Sequence, residues 1–150
     1  MTSTTDSTIV ARNLYRILDA SVNRGREALR VLEDACRFLS DDADLTAQLK
    51  ETRHEFAMVS ERLDREQRML ARDTTHDVGV SISTADEYQR GSLTKIVVAN
   101  FARLQESLRS LEEFCKLLAP ELAPKWEALR YRSYTLEKEL YAMAKNLKLD

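Results

Sequence analysis

Apolar residues recur at helical spacing from Ile9 to Leu39: Leu14, Ile17, Leu18, Val22, Leu29, Leu32, Cys36 and Leu39. Ser7 or Thr8 would cap this first helix, and residues 1–8, rich in Ser and Thr, read as a frayed, disordered tail. Gly25 interrupts the run at a cost of about 1 kcal/mol relative to Ala, so close approach of another backbone is expected there. SDDAD (40–44) breaks the pattern and offers Asp44 as the next cap. A second stripe, Leu45, Leu49, Phe56, Val59, Leu63 and Leu70, predicts one helix over 45–70.

Residues 71–91 lose the helical period and read as a long loop of the kind that is often functional. Within it TADE (84–87) has capping-box form. Ser92 would cap a third helix, 93–118, ended by Pro120. Pro124 suits the first turn of a fourth, reaching about Leu147. The expected fold is all-α: four long helices in two hairpins, halves 9–70 and 92–150, forming one helical domain over 9–150.

A shift of 79 residues lays ASVNRGREALRVLEDACRFL (20–39) over ANFARLQESLRSLEEFCKLL (99–118), with nine of twenty positions identical. Apolar identities are expected between any two core helices, whereas solvated charges drift. The informative pairs are therefore Arg24/Arg103, Glu27/Glu106, Arg30/Arg109 and Glu33/Glu112, and the same shift sets Arg53 over Arg132. A duplicated hairpin predicts an approximate two-fold axis.

On a helical wheel Arg24, and with it Arg103, falls inside the apolar arc, with Glu27 and Glu106 three residues on. Two readings compete. Structural Arg–Glu bridges would fix helix register. Alternatively, two guanidinium groups, each aligned by a Glu, face a shared cleft and grip phosphate oxygens, with Asn23 and Asn100 beside them.

Composition narrows the field. The 150 residues hold 23 Lys+Arg against 25 Asp+Glu, a net charge of −2, which disfavours nucleic acid as a partner. The longest uncharged run, Val78 to Ala85, is eight residues, too short for a transmembrane helix. The start shows no secretory signal, and two Cys in no metal spacing fit a reducing, cytoplasmic setting. Cys36 and Cys115 occupy apolar-stripe positions and read as small core residues. RDTTHDVG (72–79) offers Arg72, Asp73 and Asp77, and acidic loop residues can hold Mg2+ or order a turn. His54 adjoins Arg53 and by itself reads as a structural, hydrogen-bonded residue, and Tyr131, Tyr134 and Tyr141 read mostly as helix-packing residues, one of which could stack on a heteroaromatic ring. GSLTK (91–95) lacks the spacing of a phosphate loop.

NRGREALRVLEDACRF (23–38), RH (53–54), RDTTHDVG (72–79), ANFARLQESLRSLEEFCKLL (99–118) and LRYRSYTLEKEL (129–140) together resemble the hydroxymethylpyrimidine phosphate kinase family of thiamine biosynthesis. This small helical domain occurs free-standing or fused ahead of thiamine-phosphate synthase. The likeness runs from about Arg16 to Leu140 and does not include the synthase barrel. It implies phosphoryl transfer from ATP, with Mg2+, to 4-amino-2-methyl-5-hydroxymethylpyrimidine phosphate, giving the diphosphate. It casts Arg24, Arg103, Glu27 and Glu106 as catalytic. Asn23, Arg30, Arg53, His54, Arg72, Asn100, Arg109 and Arg132 become substrate or phosphate ligands, and Asp73 and Asp77 metal ligands. Where the family pattern carries Thr after DVG, Val80 stands, followed by Ser81. The alternative is a non-catalytic helical module that binds a thiamine-pathway enzyme, such as the synthase, or a phosphorylated metabolite. Helices this long would also allow a homodimer.

Overall fold

The computed structural model describes residues 3–84 and 89–147. Five α-helices follow in order: α1 (Ser3–Asp34), α2 (Ala43–Glu61), α3 (Arg65–Ala71), α4 (Leu93–Cys115) and α5 (Ala123–Asn146). The class is all-α, with no strand among the described residues. Helix α4 packs along α1 on one side and α5 on the other; α2 and α3 lie on α1, and α2 also meets α5. TADE, proposed as a cap, lies largely outside the described residues.

The core forms where the stripes meet. Leu18, Leu29 and Leu32 of α1, Phe101, Leu104, Leu108 and Leu111 of α4, and Trp126 of α5 are fully buried or nearly so. Each such side chain contributes roughly 1.5–3 kcal/mol over its exposed state. Phe56 of α2 meets Trp126 edge-to-face at 5.2 Å, tying the two outer helices together. Gly25 faces this junction. A Cβ there would sit 2.5 Å from Phe56 Cζ and 2.8 Å from Ser107 Oγ, so the glycine yields to side chains rather than to a backbone.

Three boundaries differ from the periodicity. Helix α1 starts at Ser3, so residues 3–8 join the helix instead of fraying before a Ser7 or Thr8 cap. The predicted 45–70 helix is broken at 62–64, because Asp64 turns its carboxylate onto Gln67 N (3.0 Å) and caps α3. Leu63 stays buried at the corner, but the turn ends the stripe there: Leu70, its expected last member, is 72% exposed, and α3 buries Arg68 and Ala71 instead. Asp42, not Asp44, caps α2, accepting from Leu45 N at 2.9 Å. Ser92 caps α4 as expected, and Pro124 lies in the first turn of α5.

The two copies end differently. The first widens into a π turn over Ala35–Leu39, where Ser40 Oγ and Asp42 N both donate to Cys36 O. Asp41 then takes a φ of 50°, the left-handed conformation that Asp tolerates better than most residues. Cys36 and Cys115 are buried, as their stripe positions require. Tyr131, Tyr134 and Tyr141 are exposed, contrary to their reading as packing residues, and Tyr131 meets Tyr134 edge-to-face at 6.1 Å on the outside of α5.

Candidate functional site

A cleft of about 580 Å3 opens between α1 and α4. Its ten lining residues are five repeat pairs: Ser21/Asn100, Arg24/Arg103, Glu27/Glu106, Ala28/Ser107 and Val31/Ser110. The approximate two-fold axis expected from the duplication therefore passes through this cleft. It brings four of the predicted residues, Arg24, Arg103, Glu27 and Glu106, into one place, with Asn100 beside them.

Two expectations about these groups need correction. Arg24 and Arg103 are exposed at the cleft rather than buried in the stripe. The wheel treats the helix as having one buried arc, but α1 is gripped from two sides and the gap between neighbours lets a long side chain reach water. Nor does Glu27 hold Arg24, or Glu106 hold Arg103: no such ion pair occurs among the described residues. The structural bridges of the competing reading exist, but elsewhere in the repeat. Glu33, 3% exposed, takes Arg53 Nε at 2.6 Å and Arg30 at 3.6 Å. Its repeat mate Glu112, 6% exposed, takes Arg130 at 2.9 Å and Arg109 at 3.2 Å. Arg30, Arg53 and Arg109 are thus bridge members first. Arg132 pairs with Glu55 across α5 and α2, and His54 is exposed; neither lines this cleft.

A second cleft, about 460 Å3, adjoins the first and shares Ser21, Arg24 and Ser110 with it. It adds Arg16, Asp19, Asn23, Arg72, Asp73 and Asp77, so the 72–79 segment does reach the arginine cleft. The anchor is Asp19, which was not singled out. Only 5% exposed, it accepts from Arg72 Nε at 2.7 Å and Nη2 at 3.0 Å, and from Asn23 Nδ2 at 3.5 Å. Arg68 Nη1 lies 3.7 Å away. This fork–fork pair fixes the start of the loop to α1. Asn100 Nδ2 donates to Ile96 O at 2.9 Å, which fixes the side chain beside the cleft.

Asp73 and Asp77 serve turns. Asp73 accepts from His76 N at 3.1 Å, and His76 Nδ1 lies 3.0 Å from both carboxylate oxygens. The His76 backbone N–H first, and its ring second, hold the Asp73 carboxyl below its ordinary range. Asp77 accepts from Gly79 N at 2.8 Å. No group of three His, Cys, Asp or Glu poised for a metal occurs among the described residues. The donor set thus fits a Mg2+ that arrives on phosphate oxygens and takes one or two carboxylates, not an ion caged by the protein.

Asp19, Arg68, Glu33, Glu112 and Arg130 escaped the sequence reading as site-shaping residues. For Glu33 and Glu112 a signal existed, since both are charge identities of the repeat. For Asp19 and Arg68 none did, because their partnership forms only when α3 folds back on α1.

The ThiD2 family profile matches residues 16–139. A thiamine-phosphate synthase of Rhodopirellula baltica is 42% identical over 130 residues, covering 87% of this chain and 35% of the relative. That of Thermosynechococcus vestitus is 44% identical over 129 residues, covering 86% and 36%. That of Nostoc punctiforme is 40% identical over 131 residues, covering 87% and 36%. The chain therefore spans about a third of the length of these relatives. No solved structure matches it. No helix among the described residues is long and apolar enough to cross a membrane.

Proposed function

The chain belongs to the ThiD2 family, and on that premise we propose that it acts in thiamine biosynthesis as a kinase. It transfers a phosphoryl group from ATP to 4-amino-2-methyl-5-hydroxymethylpyrimidine phosphate. The observation that carries the reading is the mirrored arginine pair, Arg24 and Arg103, set in a single cleft of ligand size. Relatives named thiamine-phosphate synthase support the pathway.

In this reaction an oxygen of the substrate's own phosphate forms the new bond to the γ-phosphorus. The bond from that phosphorus to the β–γ bridging oxygen breaks, and ADP leaves with the electron pair. A phosphate monoester has its second pKa near about 6, so the attacking oxygen is already ionised at neutral pH. No general base is needed. Glu27 and Glu106 line the same cleft and balance the charge of Arg24 and Arg103 between turnovers, instead of abstracting a proton. The arginines contribute positive charge where the transferring oxygens pass, and positioning does most of the work. Mg2+, when bound with ATP, neutralises phosphate charge; Asp77, with Asp73, would hold it from the adjoining cleft. Selectivity follows from the same charges: an alcohol without its phosphate leaves the guanidinium groups unmatched.

ADP release from purified protein, Mg-ATP and the pyrimidine phosphate tests the proposal. Turnover is expected with the phosphate and not with the free alcohol. Background-level ADP release with the phosphate overturns it. It would favour a non-catalytic module that binds a phosphorylated metabolite or a synthase.

A further inference from the structure

We infer that the groove between α1 and the α2–α3 arm binds an oligophosphate chain, of the class carried by nucleoside triphosphates. Two adjoining hollows, about 540 and 380 Å3, share Asn23, Arg26 and Ala57 and form this groove. Arg26, Arg30, Arg53, Arg65, Arg68 and Arg72 line it, against Asp19, Glu27 and Glu61.

Six arginines face three carboxylates along the groove, and the best placed of these is already committed. Asp19 is forked by Arg72, while Arg30 and Arg53 share Glu33. Arg26 and Arg65 are exposed and make no ion pair among the described residues. Arg68 is 7% exposed, and its Nε is buried with no hydrogen-bond partner. Its nearest carboxylate contact is the 3.7 Å approach to Asp19. Burial lowers its pKa, Asp19 opposes that, and Arg65, Arg26 and Arg72 crowd it with like charge. Asp19 and the Ser60 carbonyl, which accepts from Arg68 Nη2 at 3.4 Å, satisfy part of this buried guanidinium, and an anion in the groove would complete the rest.

The excess belongs to one copy of the repeat. Where the first copy has Asn23 and Arg26, the second has Ala102 and Gln105. The α1–α4 cleft, by contrast, sets two arginines against two glutamates. The duplication thus left one mirrored, charge-balanced cleft and one unmirrored cationic groove. The groove meets the mirrored cleft at Glu27 and Val31, and the smaller adjoining cleft at Asp19, Asn23 and Arg72. The cations are spread along the groove. A single phosphate can fill one guanidinium fork, whereas a row of forks asks for a row of phosphates. Naming the ligand as the donor's triphosphate rests on the kinase reading; the oligophosphate site does not.

Calorimetric titration with tripolyphosphate, ATP and adenosine tests the site. Tripolyphosphate and ATP should bind, and adenosine should not. The double variant Arg26→Gln/Arg65→Gln should lose at least about tenfold in tripolyphosphate affinity. The charge-matched control Lys125→Gln/Lys138→Gln should lose little. Equal affinity in the arginine variant and wild type, an equal loss in the control, or no tripolyphosphate binding to wild type overturns the inference. If the double variant melts early, Arg26→Gln alone carries the test, and unchanged affinity there overturns it too. Bound tripolyphosphate without ADP release would sink the kinase reading and leave this site standing. Turnover with an unchanged KM for ATP in the arginine variant would do the reverse.

Discussion

Replacing Asp19 by Ala removes the carboxylate that joins α1 to α3 and to the loop. Its two arginine partners respond differently. The Arg72 side chain is 39% exposed and can rehydrate, so its share is that of a surface pair, about 0–1 kcal/mol. The Arg68 side chain is 8% exposed and cannot. Stranding a buried charge costs about 3–5 kcal/mol, and this share dominates. For a chain of this size about 1 kcal/mol moves Tm by about 2–4 °C, so a fall of roughly 10 °C is expected. Urea unfolding followed by circular dichroism gives the free energy directly, and an unchanged slope would confirm that the same surface is exposed. Arg68→Leu added to Asp19→Ala should restore at least half of the loss, because it removes the stranded charge. Arg72→Ala alone should cost about 1 kcal/mol or less. A loss under about 1 kcal/mol for Asp19→Ala, or an equal loss for Arg72→Ala, would refute this account.

Arg24→Ala and Arg103→Ala should each abolish ADP release while shifting Tm by no more than a few degrees, since neither makes an ion pair among the described residues. Active variants that lose only stability would assign both arginines a structural role. Gly25→Ala should destabilise: overpacking against the Phe56 ring costs about 1–3 kcal/mol and improved helix propensity returns about 1, so a stabilised variant in a urea melt would count against the contact. Burial, then Asp42, pushes the Cys36 thiol up to about 12, and burial, then Glu121, raises Cys115 to about 11. Both should resist alkylation at pH 8 until the protein is unfolded, which thiol titration with and without denaturant would read. The raised values also give stability that is whole below the unfolded thiol pKa and lost as pH climbs from there through about 11 and 12.

Periodicity and duplication fixed the all-α class and placed Ser92 at the start of α4. They brought Arg24, Arg103, Glu27 and Glu106 to one cleft, because a repeated hairpin must set equivalent positions about a common axis. They missed the break at 62–64, since the apolar spacing continues in the sequence to Leu70, which the turn capped by Asp64 leaves exposed. They also assigned the Arg–Glu bridges to the wrong turn: Glu27 and Glu106 have the right spacing on their own helices, but the arginines of α2 and α5 reach Glu33 and Glu112.

Spacing along one chain reports which side of a helix is dry, and that much the sequence determined alone. Which charge meets which is a matter of what the neighbouring helix presents. Asp19 and Arg72, 53 residues apart, become partners only when α3 folds back over α1. The tertiary structure alone therefore decided where α1 and α4 leave an open cleft and where α1 to α3 gather more arginines than carboxylates. Coulombic pairing depends on distance in space, on which local periodicity is silent.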